Sequence, residues 1–260
     1  MKTEMHNRLA KIEKEHQIKV LYACEAGSRT YGLSSSDSDF DVRFIYMHPK
    51  EWYLSLDKNK DVIELPITEN LDMSGWELTK ALRLLRKSNP SLLEWMQAEM
   101  VYYQNDYFFT KIKEVKEKAF NPRACYYHYM QMAKRNEQKR QGMEEQRIKI
   151  IFHIMRPILA CQWIEQKQTF PPNHFFALVN ELVDEEALKK EITDLITAKV
   201  NGANIYKKEN MQRINGYIQQ QLAGIEQAAS SISSGGENER ELTLSLDNLF
   251  RDVLQANWTN

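Results

Sequence analysis

A glycine-serine pair, Gly27-Ser28, is followed after ten residues by the acidic-apolar run Asp39-Phe40-Asp41-Val42. No other stretch of the chain limits its fold as tightly. Upstream, residues 18–26, IKVLYACEA, are rich in apolar and β-branched side chains and read as a strand. Downstream, residues 40–47 alternate, with Phe40, Val42, Phe44 and Tyr46 on one face and Asp41 and Arg43 on the other. The intervening segment carries Gly27, Gly32 and a Ser/Asp cluster, the composition of a loop. Asp39 and Asp41, two positions apart, would leave the same face of a strand with Cα atoms about 6.6 Å apart. Phe40 and Val42 would anchor them from the core side. Two converging carboxylates repel unless a cation sits between them. Hard oxygen ligands of this kind favour Mg²⁺ or Mn²⁺, ions that commonly take substrate phosphates as further ligands. Gly27 lacks the Cβ that would hold a phosphate away, Ser28 adds a hydroxyl, and a helix starting there would turn its N-terminal dipole toward an anion. The segment therefore combines a phosphate cradle with a metal-binding carboxylate pair.

The rest of the chain changes character along its length. Residues 5–16 read as a charged helix, 61–67 as a strand limited by Pro66, and 71–73 as a short strand paired with it across residues 68–70. From Ser74 the spacing becomes helical, with Ser74 and Glu77 forming an S-x-x-E capping box. Asn89-Pro90 and Asn121-Pro122 each supply an N-cap and a proline at the first helical position, the second opening a long helix toward Gln141. Further helices are expected over 143–168, with a kink at Pro157, and near 184–200, 205–228 and 247–257. Residues 230–240 read as a flexible linker. Strands and a few helices thus give way to helices alone. The expected fold class is α+β: an α/β domain over 1–110 followed by an all-α helical domain over 111–260.

The spacing of Gly27-Ser28 and Asp39-Phe40-Asp41-Val42 resembles the signature of the DNA polymerase β-type nucleotidyltransferase superfamily: an apolar residue and Gly-Gly/Ser, nine to thirteen residues, then Asp-apolar-Asp/Glu-apolar. The blocks GSRTYGL, DSDFDVRFIY, EWYLSL, DMSGWELTKALRLL, KSNPSLLEW and RPILACQWIE are similar, in order, to the polymerase β-like family linked to RNA repair, RlaP. That resemblance implies a nucleotidyltransferase domain followed by a helical domain, and transfer of a nucleoside monophosphate from a triphosphate such as ATP. It implies two Mg²⁺ or Mn²⁺ ions on Asp39 and Asp41, with a third carboxylate from a later strand. Asp72 is the first choice for that carboxylate, and Glu64 and Glu69 are its rivals. The resemblance also implies nucleotide binding by Gly27, Ser28 and Arg29, and a basic contribution to the triphosphate from the helical domain. Lys149 and Arg156, which share a helix face with His153, are the candidates for that contribution. Asp37 departs from the pattern as an extra acidic residue, placed either in the loop or behind the metal ligands.

Charge bears on the acceptor. The chain has a net charge of −1, yet residues 111–149 carry 11 basic and 5 acidic residues. That segment interleaves Tyr126, Tyr127, His128 and Tyr129 with Lys134, Arg135, Lys139 and Arg140, a mixture suited to holding single-stranded RNA. An RNA 3′ end is the acceptor expected first. AMP transfer to a protein hydroxyl, as in antitoxins of this superfamily, a small-molecule acceptor and a non-catalytic nucleotide- or RNA-binding module are the alternatives. No uncharged apolar run of about 18 residues is present and the N-terminal stretch has no apolar signal core, so a cytoplasmic protein without a membrane span is expected. Cys24, Cys125 and Cys161 are too far apart for a disulfide framework or a CxxC zinc site, and GK[ST] of a P-loop is absent.

Overall fold

The alternating segments assemble into one five-stranded mixed sheet of order β3-β4-β2-β1-β5 in a computed structural model that describes residues 2–57, 59–68, 70–143, 147–205, 211–235 and 238–258. The fold is α+β. By its contacts the chain divides into two compact units, the first comprising residues 1–27, 39–120 and 236–260 and the second 28–38 and 121–235.

The first unit holds the sheet. After α1 (Lys2–His16), β1 (Lys19–Glu25) runs antiparallel to β2 (Phe40–Met47), and α2 (Gly27–Thr30) starts in the connection between them. A short α3 (Lys50–Tyr53) precedes β3 (Val62–Glu64) and β4 (Leu71–Glu77). β4 lies antiparallel to β3 and parallel to β2, and β5 (Val101–Gln104) closes the other edge against β1. α4 (Leu78–Arg86), α5 (Pro90–Trp95) and α6 (Asp106–Ala119) complete the sequential part. One face of β2 presents Val42, Phe44 and Tyr46 to a core shared with Met5, Leu9 and Ile12 of α1. Its other face begins with Asp41 and Arg43 and continues with Ile45 and Met47, both fully buried where α4 packs on the strand. This face is therefore polar only at the N-terminal end of β2.

The second unit is built on α7 (Pro122–Gln141), α8 (Ile148–Lys167), α9 (Phe175–Leu182), α10 (Glu186–Val200) and α11 (Gln212–Ala228). α8 is buried nearly all round from Ile150 to Ile164, as the central helix of a bundle must be. The cores of Asn89 and Asn121 caps form as expected, accepting the backbone N–H groups of Leu92 and Ala124.

Three expectations differ from what is observed. The capping box at Ser74 does not form, because β4 continues its ladder with β2 through Glu77. Glu77 itself caps α4, accepting the N–H groups of Thr79 and Lys80 while its other oxygen receives the Tyr53 hydroxyl at 2.6 Å. The last helix, α12 (Glu239–Asn257), begins well before residue 247, capped by Asn238. It also belongs to the first unit: Leu242, Leu246, Leu249 and Val253 are buried and the helix packs on α4 and α6. The compact units thus differ from a division into 1–110 and 111–260. Hydrophobic faces decide which unit a segment joins, and chain order does not.

Candidate active site

In the first unit, parallel pairing of β2 with β4 sets Asp41 directly opposite Asp72. Both side chains are partly exposed. Their shared position follows from register, because the continuation of β4 to Glu77 fixes which β4 residue faces Asp41. Gly27 lies against the same carboxylate. Its φ is +61°, and a Cβ built on it would stand 1.8 Å from Asp41 Oδ2. Only glycine permits this approach, by sterics as well as by backbone conformation. The backbone is tied here on both sides: Ala26 N–H donates to the Asp41 carbonyl at 2.8 Å, and Asp41 N–H donates to Glu25 Oε1 at 3.1 Å. Glu25 is 1 % exposed, and its second oxygen receives the Tyr102 hydroxyl at 2.6 Å. A buried carboxylate at the end of β1 thus fixes the main chain of Asp41 while Tyr102 satisfies it.

Arg43 completes the group. Two residues beyond Asp41 on the same face of β2, it brings Nη2 to 2.7 Å from Asp72 Oδ2 and 3.5 Å from Asp41 Oδ1. Its Nη1 reaches the Asp72 carbonyl at 3.3 Å. The sequence reading placed Arg43 on this face but gave it no role. Glu25 and Tyr102 were not singled out either, since a Glu inside an apolar strand and a Tyr in a four-residue strand carry no motif of their own.

Asp39 is exposed and precedes β2, next to Phe40, whose N–H donates to the Asn70 carbonyl at 2.7 Å. Among the rival carboxylates, Glu64 sits on the edge strand β3 opposite Ser74, and Glu69 lies outside the described residues. Asp72 is the one that pairs across from Asp41. Asp37 accepts the Ser36 hydroxyl at 3.1 Å on the surface.

The donor set at Asp41 and Asp72 is of a kind that suits a divalent ion. The side chains that meet are carboxylates, the donors hard ions take, and Mg²⁺ is commonly held by one or two carboxylates together with substrate phosphates. The carboxylates of Asp41 and Asp72 are donors of the kind such an ion takes, while the exposed Asp39 precedes β2. Among the described residues no group of three or more His, Cys, Asp or Glu side chains gathers as a complete protein cage. The fit therefore depends on oxygens brought by a ligand.

In the second unit, residues 28–38 form a tied loop. Leu33 N–H donates to the Ser28 carbonyl at 2.8 Å, and Arg29 Nη2 donates to the Ser38 carbonyl at 2.7 Å. Gly32, with φ +71°, lies so close to His174 that a Cβ would meet its Nε2 at 2.3 Å. Phe175 N–H, at the start of α9, donates to the Tyr31 carbonyl at 3.0 Å. Arg156 is 4 % exposed. Its guanidinium lies 4.0 Å over the Tyr31 ring, and its Nε is 3.5 Å from the Asn173 carbonyl. Lys149 is exposed near the start of α8. Although Lys149 and Arg156 share a helix face, one is at the surface and the other is inside, holding the loop. His153, between them, is held below the ordinary imidazole value by desolvation, with Lys149 and Lys139 adding repulsion.

The aromatic-basic segment is divided in the same way. Tyr126 and Tyr129 are core, Arg140 is buried with Glu137, and Lys134 pairs with Glu226 at 2.7 Å, whereas Tyr127, His128, Arg135 and Lys139 are exposed. The three cysteines are buried free thiols, and no helix among the described residues is long and apolar enough to cross a membrane.

Comparison with known proteins gives the family. The family described as RNA repair pathway DNA polymerase beta family, RlaP, matches residues 1–252. The uncharacterized protein YcgL of Bacillus subtilis (strain 168) is 41% identical over 258 residues, which cover 99% of this chain and 98% of that protein. A crystal structure of a nucleotidyltransferase-like protein from Exiguobacterium sibiricum 255-15 aligns at 12% identity with a TM-score of 0.35, over 97% of this chain and 80% of that one. With a match across nearly its whole length and a relative of such identity, the chain belongs to the RNA repair pathway DNA polymerase beta family, RlaP.

Proposed function

We propose that the protein is a metal-dependent nucleotidyltransferase that moves a nucleoside monophosphate from a triphosphate onto an RNA end. The observation that carries this reading is the meeting of Gly27, Asp41 and Asp72: two carboxylates opposite one another, beside a backbone stripped of its side chain. In this reading the N–H groups after Gly27 and the Ser28 hydroxyl receive phosphate oxygens. Asp41 and Asp72, with Asp39, would hold Mg²⁺ or Mn²⁺. When bound, such ions neutralise charge on the departing pyrophosphate and acidify the attacking hydroxyl. Asp72 would also accept the proton of that hydroxyl. Glu25 and Tyr102 fix the main chain of Asp41, so that the carboxylates need no rearrangement as charge develops. Arg156, packed on the Tyr31 ring, would hold the loop that begins at Ser28.

The family description supports RNA as the acceptor. The test is transfer of label from α-labelled nucleoside triphosphates to a pool of short RNAs with Mg²⁺ or Mn²⁺. Asp41→Asn and Asp72→Asn each should lower transfer by at least about a hundredfold, with unchanged melting temperature, since removal of a charge-stabilising group typically costs that much. Label on protein and none on RNA would move the acceptor to a protein hydroxyl. Undiminished transfer by either variant would remove the carboxylate assignment.

A further inference from the structure

Arg43 is the group at the acidic pair that the reading above leaves without a task. Its position is set by strand alternation and register: same face as Asp41, opposite Ser74, two residues along β4 from Asp72. Its guanidinium donates to Asp72 Oδ2 at 2.7 Å and stands 3.5 Å from Asp41 Oδ1. It is 19% exposed, less than either carboxylate, so solvent screens it least of the three. Two facing carboxylates repel, and the guanidinium relieves that repulsion without any ion.

A divalent ion on Asp41 and Asp72 would use the same oxygens, at a distance where two positive charges oppose each other strongly. The bare site is thus already neutralised in part, and it discriminates against the ion it is built to hold. A triphosphate changes the balance. It brings several negative charges and offers a guanidinium fork the paired oxygens that it binds best.

Resting on the metal-nucleotide reading of this site, we infer that Arg43 is a positioning residue that serves as a resident cation. It keeps Asp41 and Asp72 in place before catalysis, opposes a lone divalent ion, and turns to the triphosphate when nucleotide arrives. Ion and nucleotide then bind as a coupled pair. Without nucleotide the site stays largely free of metal.

The experiment is Mn²⁺ binding to the full chain, followed by the electron paramagnetic resonance signal of free Mn²⁺, for wild type, Arg43→Gln and Arg43→Lys. Each is measured alone and with α,β-methylene-ATP, and melting curves check the fold. Arg43→Gln should bind Mn²⁺ without nucleotide at least about tenfold more tightly than wild type, because the opposing charge is gone. A merely structural arginine predicts the reverse sign, since loosened carboxylates bind more weakly. Arg43→Lys keeps the charge and should bind Mn²⁺ alone as wild type does, yet lose most of the coupling between Mn²⁺ and nucleotide for want of the fork. If Arg43→Gln does not fold, Arg43→Lys carries the test through that coupling. Equal or weaker Mn²⁺ binding by Arg43→Gln, or full coupling in Arg43→Lys, overturns the inference while leaving the metal reading in place. Absence of Mn²⁺ binding by wild type even with nucleotide would overturn both.

Discussion

Gly27 and Asp41 touch so closely that a single methyl group separates a working arrangement from a broken one. Gly27→Ala would place Cβ on Asp41 Oδ2 and force an L-residue to φ +61°. The expected outcome is a loss of about 1–3 kcal/mol in stability, read by denaturant unfolding, with the proposed nucleotidyl transfer lost because the carboxylate must move. Tyr102→Phe removes one oxygen atom and leaves Glu25 Oε2 without the hydroxyl it accepts. It should cost about 1–3 kcal/mol in the same measurement, against little for an exposed tyrosine such as Tyr127. At this scale much was legible. The spacing of the Gly-Ser turn and the Asp-x-Asp run points to Gly27 and Asp41 as neighbours, and the structure brings them together. Asp72 is preferred to Glu64 only through the resemblance and its place before a helix, and its pairing with Asp41 is set by register. What was hidden is what supports them. Glu25 and Tyr102 come from strands far apart in the chain that meet only through β1–β5 pairing, and Arg43 gains its role only when register brings Asp72 beside it.

Among elements, the loop over 28–38 has the clearest dependence on a single side chain. Arg156 covers the Tyr31 ring, while Gly32 rests on His174 and the Tyr31 carbonyl on Phe175 N–H. Arg156→Met should keep the helix but release the loop, seen as faster amide exchange over 28–38 with α7 and α8 little changed; unchanged exchange in the loop would contradict the clamp. A second case lies between α7 and α11. Arg140 donates to both oxygens of Glu137, at 2.7 and 2.9 Å, and Gln219 adds a bond at 2.7 Å. Burial alone would raise the Glu137 carboxyl, but these hydrogen bonds outweigh it and hold it below its ordinary value. Its folded value being the lower one, the stabilisation is complete above the unfolded carboxyl value of about 4.3 and disappears as pH falls through the folded value. Melting temperature against pH should therefore fall more steeply below about pH 4.3 in wild type than in Glu137→Gln. Sequence signals for elements were good where a cap residue was local, as at Asn89 and Asn121. They failed at Ser74, because a plausible cap lay inside a strand whose partner, β2, is distant in sequence. They also passed over α9 and β5, which are too short to show a period.

For the whole molecule, the return of α12 to the first unit is the property no local pattern discloses. An amphipathic helix at the end of a chain buries its stripe wherever a matching face exists, and that face is offered by α4 and α6. Each of its four buried aliphatic side chains contributes roughly 1.5–3 kcal/mol, together comparable with the whole stability of an ordinary domain. Deleting residues 236–260 should therefore expose α4 and α6 to amide exchange and leave α8 protected; the opposite pattern would contradict the assignment. The same threading shapes how the protein is born on the ribosome. The sheet, α4 and α6 are synthesised by residue 119, but the helix that packs on α4 and α6 waits until the entire second unit has been translated, on the order of ten seconds at cellular elongation rates. Residues 28–38 wait in turn for α8 and α9. Nascent chains of this protein thus carry α4 and α6 with an uncovered apolar face until α12 emerges, and chaperones that shield apolar surface should be found on them throughout that interval.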